Sequence, residues 1–194
     1  MAPRVVSNAS PLIYAAKIGF LGALEKLYGK ILMPKSVYNE VVEKGAEKKA
    51  ADALVIEEAV ERGYLQVADL NERARAESEV LTKTQNISTG EAEAIALAKQ
   101  VKAELLLIDE RGGTIAARVL GIRTVGLLGV IIEAMYRGII TFEELKIYYN
   151  RLTRTEFRLK HRDYVKAMAL AEKVREKAEE KRSPASSSAS QTTD

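Results

Sequence analysis

Four polar side chains occupy the places where an open α/β protein would keep its chemistry. Asn8 follows the short apolar run Arg4-Val5-Val6-Ser7, and Asp109 follows Leu105-Leu106-Leu107-Ile108. Glu40 and Glu91 lie between them on segments with helical spacing. Parallel strands end on one edge of their sheet, and ligands bind in the crevice outside that edge. Carboxylates gathered there repel one another unless a cation sits between them. An oxygen-rich set of this kind suits Mg²⁺ or Mn²⁺. Such an ion activates water and stabilises charge developing on a phosphodiester. This chemistry requires neither histidine nor a covalent nucleophile. Asn8 is the odd member, because an amide oxygen can ligate a hard cation but brings no charge.

Each of these residues also has a plainer reading. Asp109 can cap the helix expected to follow it. Ser88-Thr89-Gly90-Glu91 has capping-box spacing, which accounts for Glu91 without any ligand. Glu40 borders an apolar stripe and is equally a solvated side chain. Asn8 and Ser10 can simply shape the turn into the first helix.

The elements that must position these residues alternate in type. Strands are expected at Val5–Ser7, Ile31–Met33, Leu65–Val67, Leu105–Ile108 and Ile122–Val125. Ser10 suits an N-cap and Pro11 a first helical position, with Gly19 stopping that helix. Further helices are expected over 20–28, 37–42, 50–62, 91–101, 114–120, 127–136 and 142–150, with a short one around 74–81. Strands alternating with helices imply a parallel sheet covered on both faces. The fold class is therefore α/β, a three-layer α/β/α sandwich. The expected organisation is one domain over residues 1–150, a basic helical extension over 151–182 and a disordered tail over 183–194.

Composition narrows the chemistry. The 194 residues include no cysteine, which removes disulfides, zinc–thiolate sites, iron–sulfur clusters and thiol nucleophiles. No phosphate loop or dinucleotide fingerprint is present. No apolar stretch approaches the roughly 18 residues of a membrane span, and residues 1–30 have no signal-peptide pattern. A cytoplasmic protein with no membrane attachment is the expectation. The net charge of +3 is unevenly spread: residues 151–182 hold eleven Lys or Arg against six Asp or Glu. That local excess is either a solvated helix face or the footprint of a polyanion. Arg151, Arg154, Arg158, Lys160 and Arg162, with Arg111 beside Asp109, are the candidates for holding such a polyanion's backbone.

The order of the pieces resembles a known family. Val5-Val6-Ser7-Asn8-Ala9-Ser10-Pro11-Leu12-Ile13 is similar to the opening of PIN-domain proteins, in which a strand delivers an Asp and a Ser or Thr two residues later supports the site. Pro34–Val41 resembles the family's Glu-bearing second element, and Gly90–Ala98 its third. Leu106–Arg111 resembles the fourth, and Gly121–Gly129 the strand and turn after it. The resemblance spans roughly 4–140 and lies nearest the prokaryotic VapC-related branch.

It implies a Mg²⁺- or Mn²⁺-dependent endoribonuclease, a homodimer, and in many relatives the toxin of a toxin–antitoxin pair with an antitoxin protein as partner. Carried over by position, Asn8, Glu40, Glu91 and Asp109 would be ligands, with Glu40, Glu91 and Asp109 catalytic and Ser10 supporting. Glu93 and Glu110 are additional carboxylates, although a helix turns Glu93 away from Glu91. Asn8 departs from the family's Asp. The alternative is a PIN-like module that binds RNA or protein with little or no cleavage.

Overall fold

A computed structural model of the chain describes residues 4–47, 50–158 and 160–182. The apolar runs form five short strands: β1 (Val5–Ser7), β2 (Ile31–Met33), β3 (Leu65–Val67), β4 (Leu105–Leu107) and β5 (Thr124–Val125). They make one sheet in the order β3-β2-β1-β4-β5, with every neighbouring pair parallel. Strand order runs outward from β1 in both directions. The β1/β4 seam is therefore the switch point, where helices leave for opposite faces and a crevice opens at the C-terminal edge.

The connections are helical. Between β1 and β2 run α1 (Ala9–Ile18) and α2 (Leu21–Tyr28). Between β2 and β3 come α3 (Lys35–Tyr38), a π-helical turn (Asn39–Glu43), α4 (Lys44–Glu47) and α5 (Ala51–Glu61). The chain then continues through α6 (Glu72–Gln85) and α7 (Thr89–Gln100) to β4, and through α8 (Arg111–Val119) to β5. It closes with α9 (Leu127–Tyr136), α10 (Phe142–Thr153) and α11 (His161–Arg182).

The side-chain alternation of the strands sorts the core into two layers. Val5, Leu105 and Leu107 point into a cluster built with α1, α2, α5, α9 and α10. Val6, Leu106 and Ile108 point the other way, against Ile95, Leu97 and the alanines of α7 and α8. The architecture is the three-layer α/β/α sandwich. Three-residue strands carry few ladder bonds, so burial on both faces is what holds them in register.

Several boundaries differ from the sequence expectation. The N-cap of α1 is Asn8, not Ser10, so Ser10 sits inside the helix. The helix expected around 74–81 extends over fourteen residues of α6, because its polar face is solvated and only a narrow stripe rests on α7. The one expected over 114–120 starts at Arg111. Basic α11 is not wholly solvated: Ala167 and Ala171 are buried, and Tyr164, Met168 and Val174 join the same core at helical spacing. Position 150 falls within α10, and the tail expected over 183–194 lies outside the described residues.

Leu106 is fully buried between β1 and β5. Leu106→Ala is expected to cost about 2–5 kcal/mol, read as a shift in the urea midpoint. A change under about 1 kcal/mol would show that the seam collapses around the loss.

Candidate functional site

The site grows from the β1/β4 pairing. Ser7 lies opposite Leu107, and the Asn8 N–H extends the ladder to the Leu107 carbonyl at 2.9 Å. The residues leaving both strands thus emerge side by side. Asn8 is buried, at 4% exposure, and its side chain makes no helix cap. Instead Nδ2 donates to Glu110 Oε2 at 3.0 Å. The amide places a donor where an aspartate would place a second negative charge, and this removes the repulsion that Glu110 would otherwise meet.

Asp109 lies on the same edge. It does not cap α8; its Oδ1 accepts the Leu127 N–H at 2.8 Å, in the first turn of α9. A Cβ on Gly126 would come within 2.6 Å of that oxygen, so glycine there permits the approach. Asp109 Oδ2 is buried without a hydrogen-bond partner. Burial raises the acid's pKa to about 7, against the lowering effect of the Leu127 N–H and with a further push from the Glu110 charge.

Glu91 shows the plainer reading at work. Ser88 and Glu91 form a full capping box, in which Glu91 Oε2 accepts the Ser88 N–H at 2.9 Å. Its Oε1 accepts the Gly113 N–H at 3.1 Å. One carboxylate therefore joins the positive ends of α7 and α8, which stabilises its charge at only 8% exposure. A side chain at 113 would strike Ile108 and lie 2.8 Å from Glu91 Oε1. The Gly112-Gly113 pair that makes no phosphate loop is thus an allowance for close approach.

Glu40 is exposed and sits on the π-helical turn, an irregularity often found at functional sites. Its Oε2 and Asn8 Oδ1 both lie 3.5 Å from where a Cβ on Gly90 would stand, so these two side chains converge over the α7 N-terminus.

Two clefts meet here. One, of about 290 Å³, is lined by Asn8, Glu40 and Glu91, with Ser10, Tyr14 and Glu110. The other, of about 540 Å³, shares Ser10, Tyr14 and Glu110 and adds Asp109 and Arg111. Phe157, Arg158 and Lys160 form its far wall. With Glu156, carboxylates and cations therefore share its lining.

Other candidates fall elsewhere. Glu93 lines a separate cleft between α6 and α7. Arg151 donates to the Ile18 carbonyl at 3.0 Å and serves the end of α1. Arg162 lies 3.7 Å from Asp163, and Arg154 lines neither of the two clefts. Tyr14 and Phe157 were not foreseen as site residues. Phe157 is remote in sequence from every candidate ligand, and only the Tyr14 position, one helical turn beyond Ser10, hinted at the cleft.

The donors suit a hard divalent cation: they are oxygens, and one buried carboxylate oxygen lacks a partner. They are not gathered into a finished cage. Among the described residues, no three His, Cys, Asp or Glu side chains stand close enough to hold a metal ion.

A family model described as a PIN domain matches residues 4–173. The chain belongs to the PIN-domain family, and its fold is of the nuclease type. The match runs through Ala167 and Ala171 of α11. No curated protein matches the chain. Among the described residues, no helix is long and apolar enough to cross a membrane.

The linkage at Asp109 has a definite sign. Its folded pKa of about 7 exceeds the ordinary aspartate value of roughly 4. The folded state binds more protons between those limits, so the group's contribution is full below the unfolded value and is lost as pH rises through the folded one. Urea stability of the wild type should therefore fall between about pH 4 and 8 relative to Asp109→Asn. A difference that stays flat across that window would contradict the assignment. Independently, Glu91→Ala should destabilise the protein in chelator by about 1–3 kcal/mol, since the buried Gly113 N–H and the part-buried Ser88 N–H lose their acceptor; an unchanged midpoint would leave Glu91 with no structural role.

Proposed function

We propose that this chain hydrolyses RNA phosphodiester bonds with Mg²⁺ or Mn²⁺. The observation that carries this reading is the buried, unpartnered Oδ2 of Asp109 at the switch point, in a cleft walled by Arg111, Arg158 and Lys160. Asp109, Glu110 and the side-chain Oδ1 of Asn8 would hold the ion, with Glu40 across the shared cleft. When bound, the ion supplies an activated water and offsets charge on the phosphoryl oxygens. Burial favours the protonated form of Asp109 in the absence of an ion, and as a ligand it would be the carboxylate. Glu91 acts as a positioning residue, fixing the two helix N-termini that flank the site. Arg111, Arg158 and Lys160 hold backbone phosphates and place the scissile bond without reading sequence.

A second reading is a module that binds RNA without cutting it. It draws support from Asn8, whose amide supplies no charge, and from Glu91, whose two oxygens are already engaged. The two are separated by incubating purified protein and RNA with Mn²⁺ beside an Asp109→Ala control. The variant is expected to lose more than the roughly 10- to 100-fold typical of a disrupted supporting partner, and Asn8→Asp is expected to gain activity. Equal cleavage by wild type and Asp109→Ala would point to a contaminant and remove the enzyme reading. Tight binding with no cleavage, in wild type and Asn8→Asp alike, would establish the second.

A further inference from the structure

Glu156, Phe157, Arg158 and Lys160, between α10 and α11, line the larger cleft. The chain before them is tied back by Thr155, whose hydroxyl donates to the Leu152 carbonyl at 2.8 Å and accepts the Phe157 N–H at 3.2 Å. Lys17 of α1 pairs with Glu156 at 2.8 Å. Phe157 packs against Tyr14 edge-on, with centroids 4.9 Å apart and planes at 82°. Both rings are half-buried and both line the cleft, together with Asp109, Glu110 and Glu156 and with Arg111, Arg158 and Lys160.

Both rings rest on the core cluster and also line the cleft, so neither is wholly spent on packing. An aromatic pair set among cations beside a phosphate-cleaving edge has a specific chemical use. A nucleobase presents a flat π-face that stacks on aromatic side chains whatever its identity, while its flanking phosphates seek Lys and Arg. A base inside a duplex is already stacked and cannot offer that face.

We propose that Tyr14 and Phe157 form a stacking subsite for one unpaired base, so that this ring pair selects a single-stranded nucleotide next to the carboxylates. This rests on the RNA reading above but makes a narrower claim. The Lys17–Glu156 pair and the Thr155 bonds hold Phe157 in place before substrate arrives, which limits the ordering cost of binding. The subsite depends on Phe157 as a ring and not merely as apolar bulk.

The test is fluorescence anisotropy with a labelled short oligoribonucleotide in EDTA, so that binding is read without catalysis. Phe157→Ala and the better-packed Phe157→Leu should each weaken single-strand binding about tenfold or more, with Phe157→Tyr restoring it. An oligonucleotide of the same length bearing abasic residues should bind the wild type about tenfold more weakly and be indifferent to Phe157. A duplex of the same sequence should behave like the abasic strand. Equal binding by wild type and Phe157→Leu, or an abasic strand or duplex that binds as tightly as the intact strand, would overturn the subsite. If such binding were accompanied by Mn²⁺-dependent cleavage, the nuclease reading would stand without it. No RNA binding by the wild type would remove both.

Discussion

The parallel pairing of β1 with β4 is the constraint on which the rest depends. Val5, Val6 and Ser7 stand opposite Leu105, Leu106 and Leu107, and the Asn8 N–H continues that ladder. A slip of one residue would exchange the two faces of β4 and turn Leu106 and Ile108 away from α7. It would also separate Asn8 from Glu110. The two core layers therefore enforce the register, and the register sets the site. Because β1 and β4 lie at the switch point, their exits open a crevice instead of being covered by a crossover.

What gathers at that crevice is negative charge, and the protein deals with it in three ways. Glu91 gives both oxygens to backbone N–H groups at two helix N-termini. Glu110 takes a hydrogen bond from the Asn8 amide. Asp109 is driven by burial toward its protonated form. These arrangements let the carboxylates coexist without an ion. They also rank the carboxylates: Glu91 is committed to structure, whereas Asp109 keeps a buried oxygen with no partner. Among the described residues, side-chain oxygens of Ser36 and Asn39 are also buried without a partner. Both lie in or beside the π-helical turn that carries Glu40, so the irregularity at that turn extends to its hydrogen bonding.

The fold was readable wherever local chemistry and tertiary packing agree. Leu105–Leu107 is apolar because it is buried on both faces, and the capping boxes at Ser88 and Thr141 form as their spacing indicates. Reading failed where a long-range contact decides the outcome. Gly112-Gly113 looks like a helix breaker, yet α8 begins before it, since close approach of Gly113 to Glu91 and Ile108 demands a missing side chain and Gly112 sits close to Ile87. The α6 sequence is too polar to declare its length. The carboxylate positions were legible from order along the chain, but their partners were not: that Asp109 would cap α9, or that Asn8 would face Glu110, depends on residues far apart in sequence. Phe157 was invisible as a site residue for the same reason, being brought to Tyr14 only by the packing of α10 on α1.

The central claim is that the β1/β4 edge is a divalent-cation site anchored on Asp109. Crystals soaked in Mn²⁺ and measured for anomalous scattering test it most directly. The expected result is a peak within ligand distance of Asp109 Oδ2, in the crevice shared with Asn8 and Glu110. An edge left empty at saturating Mn²⁺, or a peak bound elsewhere on the surface, would contradict it.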